Sequence, residues 1–130
     1  MAEGSQIDWG GHSNDLEYVI DGTADFDNAV GEVFRFLKEK ELDDDMLVVI
    51  TVDHETGGLS LNKHPQFPLS YRPKWTTEGH SGIAVPVFSF GVGSRDFRGV
   101  QTHPEIGRKL IEGMLGREFA WKYPESSRSF

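Results

Sequence analysis

Residues 46–54 read Met-Leu-Val-Val-Ile-Thr-Val-Asp-His, seven apolar or β-branched positions that stop at a carboxylate and an imidazole. A short continuous run of this kind, following a helical pattern, suits a strand covered on both faces of a parallel sheet. The stop matters as much as the run, because open α/β sheets bind ligands beyond the carboxyl ends of their strands. Working outward, Asp43-Asp44-Asp45 separates the run from the segment Asp25 to Lys40. There Phe26, Ala29, Val30, Val33, Phe34 and Leu37 recur at helical spacing, so a helix is expected with Asp25 as its N-cap. Downstream, Asp53 to Gly82 reads as a long irregular connection punctuated by Pro65, Pro68, Pro73 and four glycines. Connections of that length are often functional.

A second strand is expected over Ile83 to Val92, edge-placed or bulged because Pro86 removes a ladder donor. A second helix follows over Pro104 to Leu115, with Thr102 or His103 as cap and Gly116 as stop. Glu3 to Asn14, rich in glycine and polar groups, reads as loop. The order helix, strand, long loop, strand, helix gives an α/β fold class, helices packed on a mainly parallel β-sheet, and resembles half of an α/β domain. Residues 1–130 are expected to form a single domain in which 116–130 is a tail without pattern.

Composition narrows the function classes. The 130 residues are 37% hydrophobic and 26% charged, the balance of a globular chain rather than a disordered one. No apolar run approaches the roughly 20 residues of a membrane helix. Met1-Ala2-Glu3-Gly4 has neither the basic nor the apolar region of an export signal. The absence of cysteine excludes disulfide frameworks and thiol catalysis. A formal net charge of −8 argues against nucleic-acid binding. An acidic chain that handles an anionic substrate needs positive charge from elsewhere, and bound divalent cations supply it.

The residues suited to hold such cations lie where the expected strands end. Asp8 and His12 are four apart, so one helical turn would place them on one face. Asp53 and His54 are adjacent, and could share an ion only after the chain leaves strand geometry, which Gly57-Gly58 makes credible. His80 sits in Gly-His-Ser-Gly. Mixed His and Asp ligands without thiolate suit zinc. Singly, each has an ordinary reading: a surface pair at Asp53-His54, a local ion pair at Asp8 and His12, a loop hydrogen bond at His80. His64 reads as solvated loop and His103 as a helix cap.

Together these segments resemble something more specific. Glu3 to Asp15, EGSQIDWGGHSND, is similar to the alkaline phosphatase signature E-G-x-x-I-D-x-x-x-H. VITVDHETGGLSL (49–61) resembles that family's D-H-E-T-G-G segment, and WTTEGHSGIAVPVFSFGVGS (75–94) its G-H-[ST]-G segment followed by V-P-V. FRGVQTHPEIGRKL (97–110) fits its closing helix. The resemblance implies two zinc ions and one magnesium ion, with phosphomonoester hydrolysis by the full-length parent. By motif, Asp8, His12 and His80 would complete one zinc site, Asp53 and His54 would supply two ligands of the second, and Glu3 one ligand of the magnesium. It also implies a homodimeric parent exported to the periplasm or outside.

The family's serine nucleophile belongs to a D-S-A type motif that the 130 residues do not contain. Nothing promotes Ser5, Ser13 or Ser81 to that role, and Arg72 and Arg95 read as surface charges. The chain alone is therefore expected to be inactive and, with an unpaired sheet edge, to favour self-association. Phosphoglycerate mutases, sulfatases and nucleotide pyrophosphatases or phosphodiesterases of the same superfamily share the D…H, DH and H pattern. The ETGG after His54 and the EG at 3–4 favour alkaline phosphatase. A non-catalytic metal-binding module is the alternative of a different class.

Overall fold

The computed structural model describes residues 1–64, 66–67 and 70–116. The expected tail beyond Gly116, and Pro65 and Pro68 of the long connection, lie outside the described residues. Helix α1 (Ser5–His12) leads into α2 (Leu16–Glu39). Six strands follow: β1 (Leu47–Thr51), β2 (Glu55–Thr56), β3 (Ser60–Lys63), β4 (Tyr71–Lys74), β5 (His80–Ser81) and β6 (Val87–Gly91). A 3-10 turn (Ser94–Phe97) and α3 (His103–Leu115) close the described chain.

Most of the segment 3–14 is thus helix, Ser5–His12, rather than the expected loop. Its glycines mark close approach rather than a break. A Cβ on Gly10 would lie 2.8 Å from the Val19 side chain, and one on Gly11 2.9 Å from Thr56. Both glycines are buried, so tertiary packing overrides their weak intrinsic preference. Asn14, in left-handed backbone at φ 53°, turns the chain into α2. That helix begins at Leu16, well before Asp25, and its cap is Asp15, whose carboxylate accepts the Tyr18 amide at 3.1 Å. Gly22, within the part of α2 the expectation omitted, is buried beside Ile7 of α1.

The parallel sheet is the larger correction. All strand pairs among the described residues are antiparallel, and they nest: β1 with β6, β2 with β5, β3 with β4. The described residues between 47 and 91 form one long hairpin interrupted by bends. Parallel pairing needs a crossover connection, usually helical, and the segment between β1 and β6 contains no helix among its described residues. The apolar run of β1, half-buried from Leu47 to Ile50, says nothing of strand direction. Nor is 53–82 irregular throughout. Strand β3 is exposed along its whole length and β4 nearly so, so neither carries the alternation from which a strand is read.

The second strand is shorter than expected, starting at Val87 immediately after Pro86. At its far end Gly91 has φ 84°, and a Cβ there would fall 2.0 Å from the Met46 carbonyl oxygen. Helix α3 matches its expectation. The Glu105 carboxylate accepts from the Thr102 amide at 2.7 Å and from its hydroxyl at 2.9 Å, and Gly116 ends the helix in left-handed backbone. Lys109 of α3 reaches the Asp96 carbonyl at 2.6 Å and Gln101 at 2.8 Å. The core is thin: Leu37, Phe97 and Ile106 are the buried hydrophobic side chains among the described residues.

Candidate metal centre

Just beyond the carboxyl end of β1, the chain bends through Asp53 and His54 into β2. The two-residue ladder of β2 with β5 sets Thr56 opposite His80 and Glu55 opposite Ser81. This register lays the His54 ring on the His80 ring, with centroids 3.5 Å apart and planes 20° apart. The ladder is clamped by Glu55, whose carboxylate accepts from the Ser81 hydroxyl and from the Leu59 amide. The Ser81 hydrogen bond, followed by the Leu59 and Gly58 amides, holds the Glu55 carboxyl below its ordinary value despite partial burial. Gly57 permits the turn that follows: its φ is 92°, and Trp75 would lie 2.5 Å from a Cβ there.

Helix α1 is brought to the same place by the close contact of Gly11 with Thr56. One face of this helix then presents Asp8 and His12 together, as their spacing requires. Asp8 Oδ2 lies 3.5 Å from His12 Nε2, and Asp8 Oδ1 lies 3.8 Å from His80 Nε2. The Nε2 atoms of His12 and His80 are 3.2 Å apart. His54 Nε2 is 3.4 Å from Asp53 Oδ2. Asp8, His54 and His80 each offer a ligand atom within 4.8 Å of the others.

These distances fit a cation. Two ligands held about 2.0–2.1 Å from a tetrahedral zinc ion are roughly 3.3 Å apart. The His12–His80, His12–Asp8 and His54–Asp53 separations all lie close to that edge length, and His80–Asp8 lies somewhat beyond it. Proton accounting points the same way. His12 Nδ1 is 2.5 Å from the Glu78 carbonyl oxygen, and a carbonyl can only accept, so Nδ1 carries the hydrogen. In the neutral ring the Nε2 lone pair then faces a carboxylate oxygen and a second ring nitrogen. A bound cation satisfies all three.

Sequence reasoning divided the ligands into separate sets; in the fold these sets adjoin, His80 touching both His12 and His54, with Asp53 on the rim. The Asp53 side chain is 87% exposed, which leaves that rim open. Glu3 stands ahead of α1, where its carboxylate accepts the Ser5 hydroxyl at 2.9 Å. His64 Nδ1 accepts the Gln66 amide at 3.2 Å, in the loop where it was expected. His103 is the first residue of α3 rather than its cap, and its Nε2 donates to the Val52 carbonyl at 3.1 Å. Arg72 and Arg95 are exposed.

Sequence reasoning gave no positioning role to Thr56 and Glu55, and weighed Ser81 only as a nucleophile; these three hold the ligand segments together. A signal for Thr56 was present. It stands two residues after His54, and strand residues two apart share a face.

Comparison with known proteins points to one family. The family model "Alkaline phosphatase" matches residues 1–72. Alkaline phosphatase 3 of Bacillus subtilis (strain 168) is 46% identical over 61 residues, 47% of this chain and 13% of that protein. Repressible alkaline phosphatase of Saccharomyces cerevisiae (strain ATCC 204508 / S288c) is 36% identical over 87 residues, 63% of this chain and 15% of that protein. Among solved structures, alkaline phosphatase from the Antarctic bacterium TAB5 superposes with a TM-score of 0.76 at 43% identity, covering 86% of this chain and 34% of that one. A mutant of the TAB5 enzyme with Mg bound in the M3 site superposes with a TM-score of 0.74 at 40% identity, covering the same 86% and 34%. The chain belongs to the alkaline phosphatase family. It spans a minor part of the length of each of these relatives.

Proposed function

We propose that these residues are the metal-binding part of a phosphomonoester hydrolase, with Asp8, His12 and His80 holding one zinc ion. Asp53 and His54 contribute two ligands to a second zinc ion, and Glu3 one to a magnesium ion. The observation that carries this reading is that ligand atoms of Asp8, His12 and His80 stand 3.2–3.8 Å apart, with His54 within 4.8 Å of Asp8 and His80. Magnesium as one of the ions draws support from the TAB5 mutant, which holds Mg in its M3 site.

When bound, the divalent cations supply the positive charge that a phosphate ester requires, stabilising both oxygens of an in-line displacement. The chain's own residues do the positioning. The Glu78 carbonyl orients His12, the β2–β5 ladder orients His54 and His80, and α1 carries Asp8 on the face it shares with His12.

The same reading assigns no nucleophile to these 130 residues. The Ser5 hydroxyl donates to Glu3, that of Ser13 to the Trp9 carbonyl and that of Ser81 to Glu55. None of them is engaged by a histidine acting as general base. Alone, the chain then binds at most one zinc ion tightly and does not turn over a phosphomonoester. Incubation of the pure, zinc-loaded chain with p-nitrophenyl phosphate tests this: no release above a zinc-only control is expected, and sustained turnover that Asp8→Asn abolishes would refute it.

A further inference from the structure

Thr56 touches every segment of the candidate site. Its methyl and backbone pack on Gly11 of α1, its backbone pairs with His80, and its hydroxyl lies between Asp8 and His54. Thr56 Oγ1 is 2.5 Å from Asp8 Oδ1 and 3.2 Å from His54 Nδ1. A hydroxyl has one hydrogen to give. An ionised carboxylate can only accept, and the shorter contact has the length of a charge-assisted O–H···O bond. The hydrogen therefore goes to Asp8. The oxygen that remains can only accept from His54, so the His54 hydrogen must sit on Nδ1. The lone pair is then left on Nε2, the nitrogen that faces Asp53 at 3.4 Å.

We infer that Thr56 is a positioning residue for the metal centre: one hydroxyl fixes the carboxylate of Asp8 and the ring tautomer of His54 at once. The inference rests on the metal-binding reading above. It links the two ligand sets through a single group that is not itself a ligand. Partners of this kind orient metal-binding side chains, and their loss typically weakens binding about 10–100-fold.

The test compares the 130-residue chain with Thr56→Val, which keeps the shape and removes the hydroxyl, and Thr56→Ser, which restores it. Long-range 1H–15N spectra of the metal-free proteins near pH 8, above the ordinary histidine pKa, report the His54 tautomer. The Nδ1–H form is expected in the wild-type and Thr56→Ser chains, and a mixture in Thr56→Val. A predominantly Nε2–H ring in the wild-type chain overturns the inference without recourse to any variant. Zinc affinity by competition with a chromophoric chelator should fall about 10–100-fold in Thr56→Val and stay within about threefold in Thr56→Ser. Equal affinity in all three, or equal weakness in both variants, also overturns it. A wild-type chain that binds no zinc would sink the metal-binding reading instead, and the tautomer measurement would still decide the role of Thr56.

Discussion

Gly11 shows how much of the site depends on one missing side chain. A Cβ there would meet both the side chain and the carbonyl oxygen of Thr56 at 2.9 Å, and backbone cannot yield as the end of a flexible side chain can. Gly11→Ala should destabilise the chain by about 1–3 kcal/mol and weaken zinc binding by moving α1, with Asp8 and His12, off the ladder. Urea unfolding and zinc titration check the two effects separately. At the same scale, His64 bonds to the Gln66 amide within its own loop, so His64→Ala should leave zinc affinity unchanged. A tenfold loss there would mean that the cluster is wrongly drawn. The spacing of Asp8 and His12 was legible in the sequence because four residues make about one helical turn. The stacking of His54 on His80 was not, since it depends on a register between strands 24 residues apart in sequence (80 − 56). Thr56 was legible only as a period-two neighbour of His54.

At the scale of elements, caps were legible where side chain and backbone cooperate locally. Gly116 could be read directly and Thr102 as one of two cap candidates, with its Glu105 partner unread, whereas Asp15 was hidden behind the glycine-rich segment before it. Asp15→Ala should cost about 0.5–2 kcal/mol, measured by chemical unfolding. Glu105 provides a pH signature. The Thr102 amide, and after it the Thr102 hydroxyl, hold its carboxyl below the ordinary value of 4.5. A lowered folded pKa means that the stabilisation is fully present above 4.5 and fades as pH falls through the folded value. Thermal midpoints of the wild-type and Glu105→Gln chains should differ most near neutrality and converge in acid below that range. A gap that widens on acidification would contradict this sign. Strand direction, by contrast, could not be read from the apolar run of β1. An apolar run suits either orientation, and only the absence of a crossover helix separates them.

Across the whole molecule, apolar surface exceeds what the elements can cover. Among the described residues three hydrophobic side chains are buried, while Val33, Phe36, Phe88, Phe90 and Val92 are each 42–54% exposed. Together with the free strand edges, this surface predicts self-association of the isolated chain. Sedimentation velocity should show a mean mass that rises with concentration; a monomer throughout would contradict it. The α/β class and the place of the site at a strand end were legible because local patterns carry them. The helical start and the nested hairpin were not, because packing between distant segments decides both.

The central claim is that Asp8, His12 and His80 form a cation site beyond the end of β1, with His54 of the second ligand set stacked beside it. Isothermal titration of the metal-free chain with zinc chloride, beside Asp8→Asn and His80→Ala, tests it most directly. A single tight equivalent, weakened at least about tenfold by either substitution, is the predicted result. Two tight equivalents, or binding indifferent to both substitutions, would contradict it.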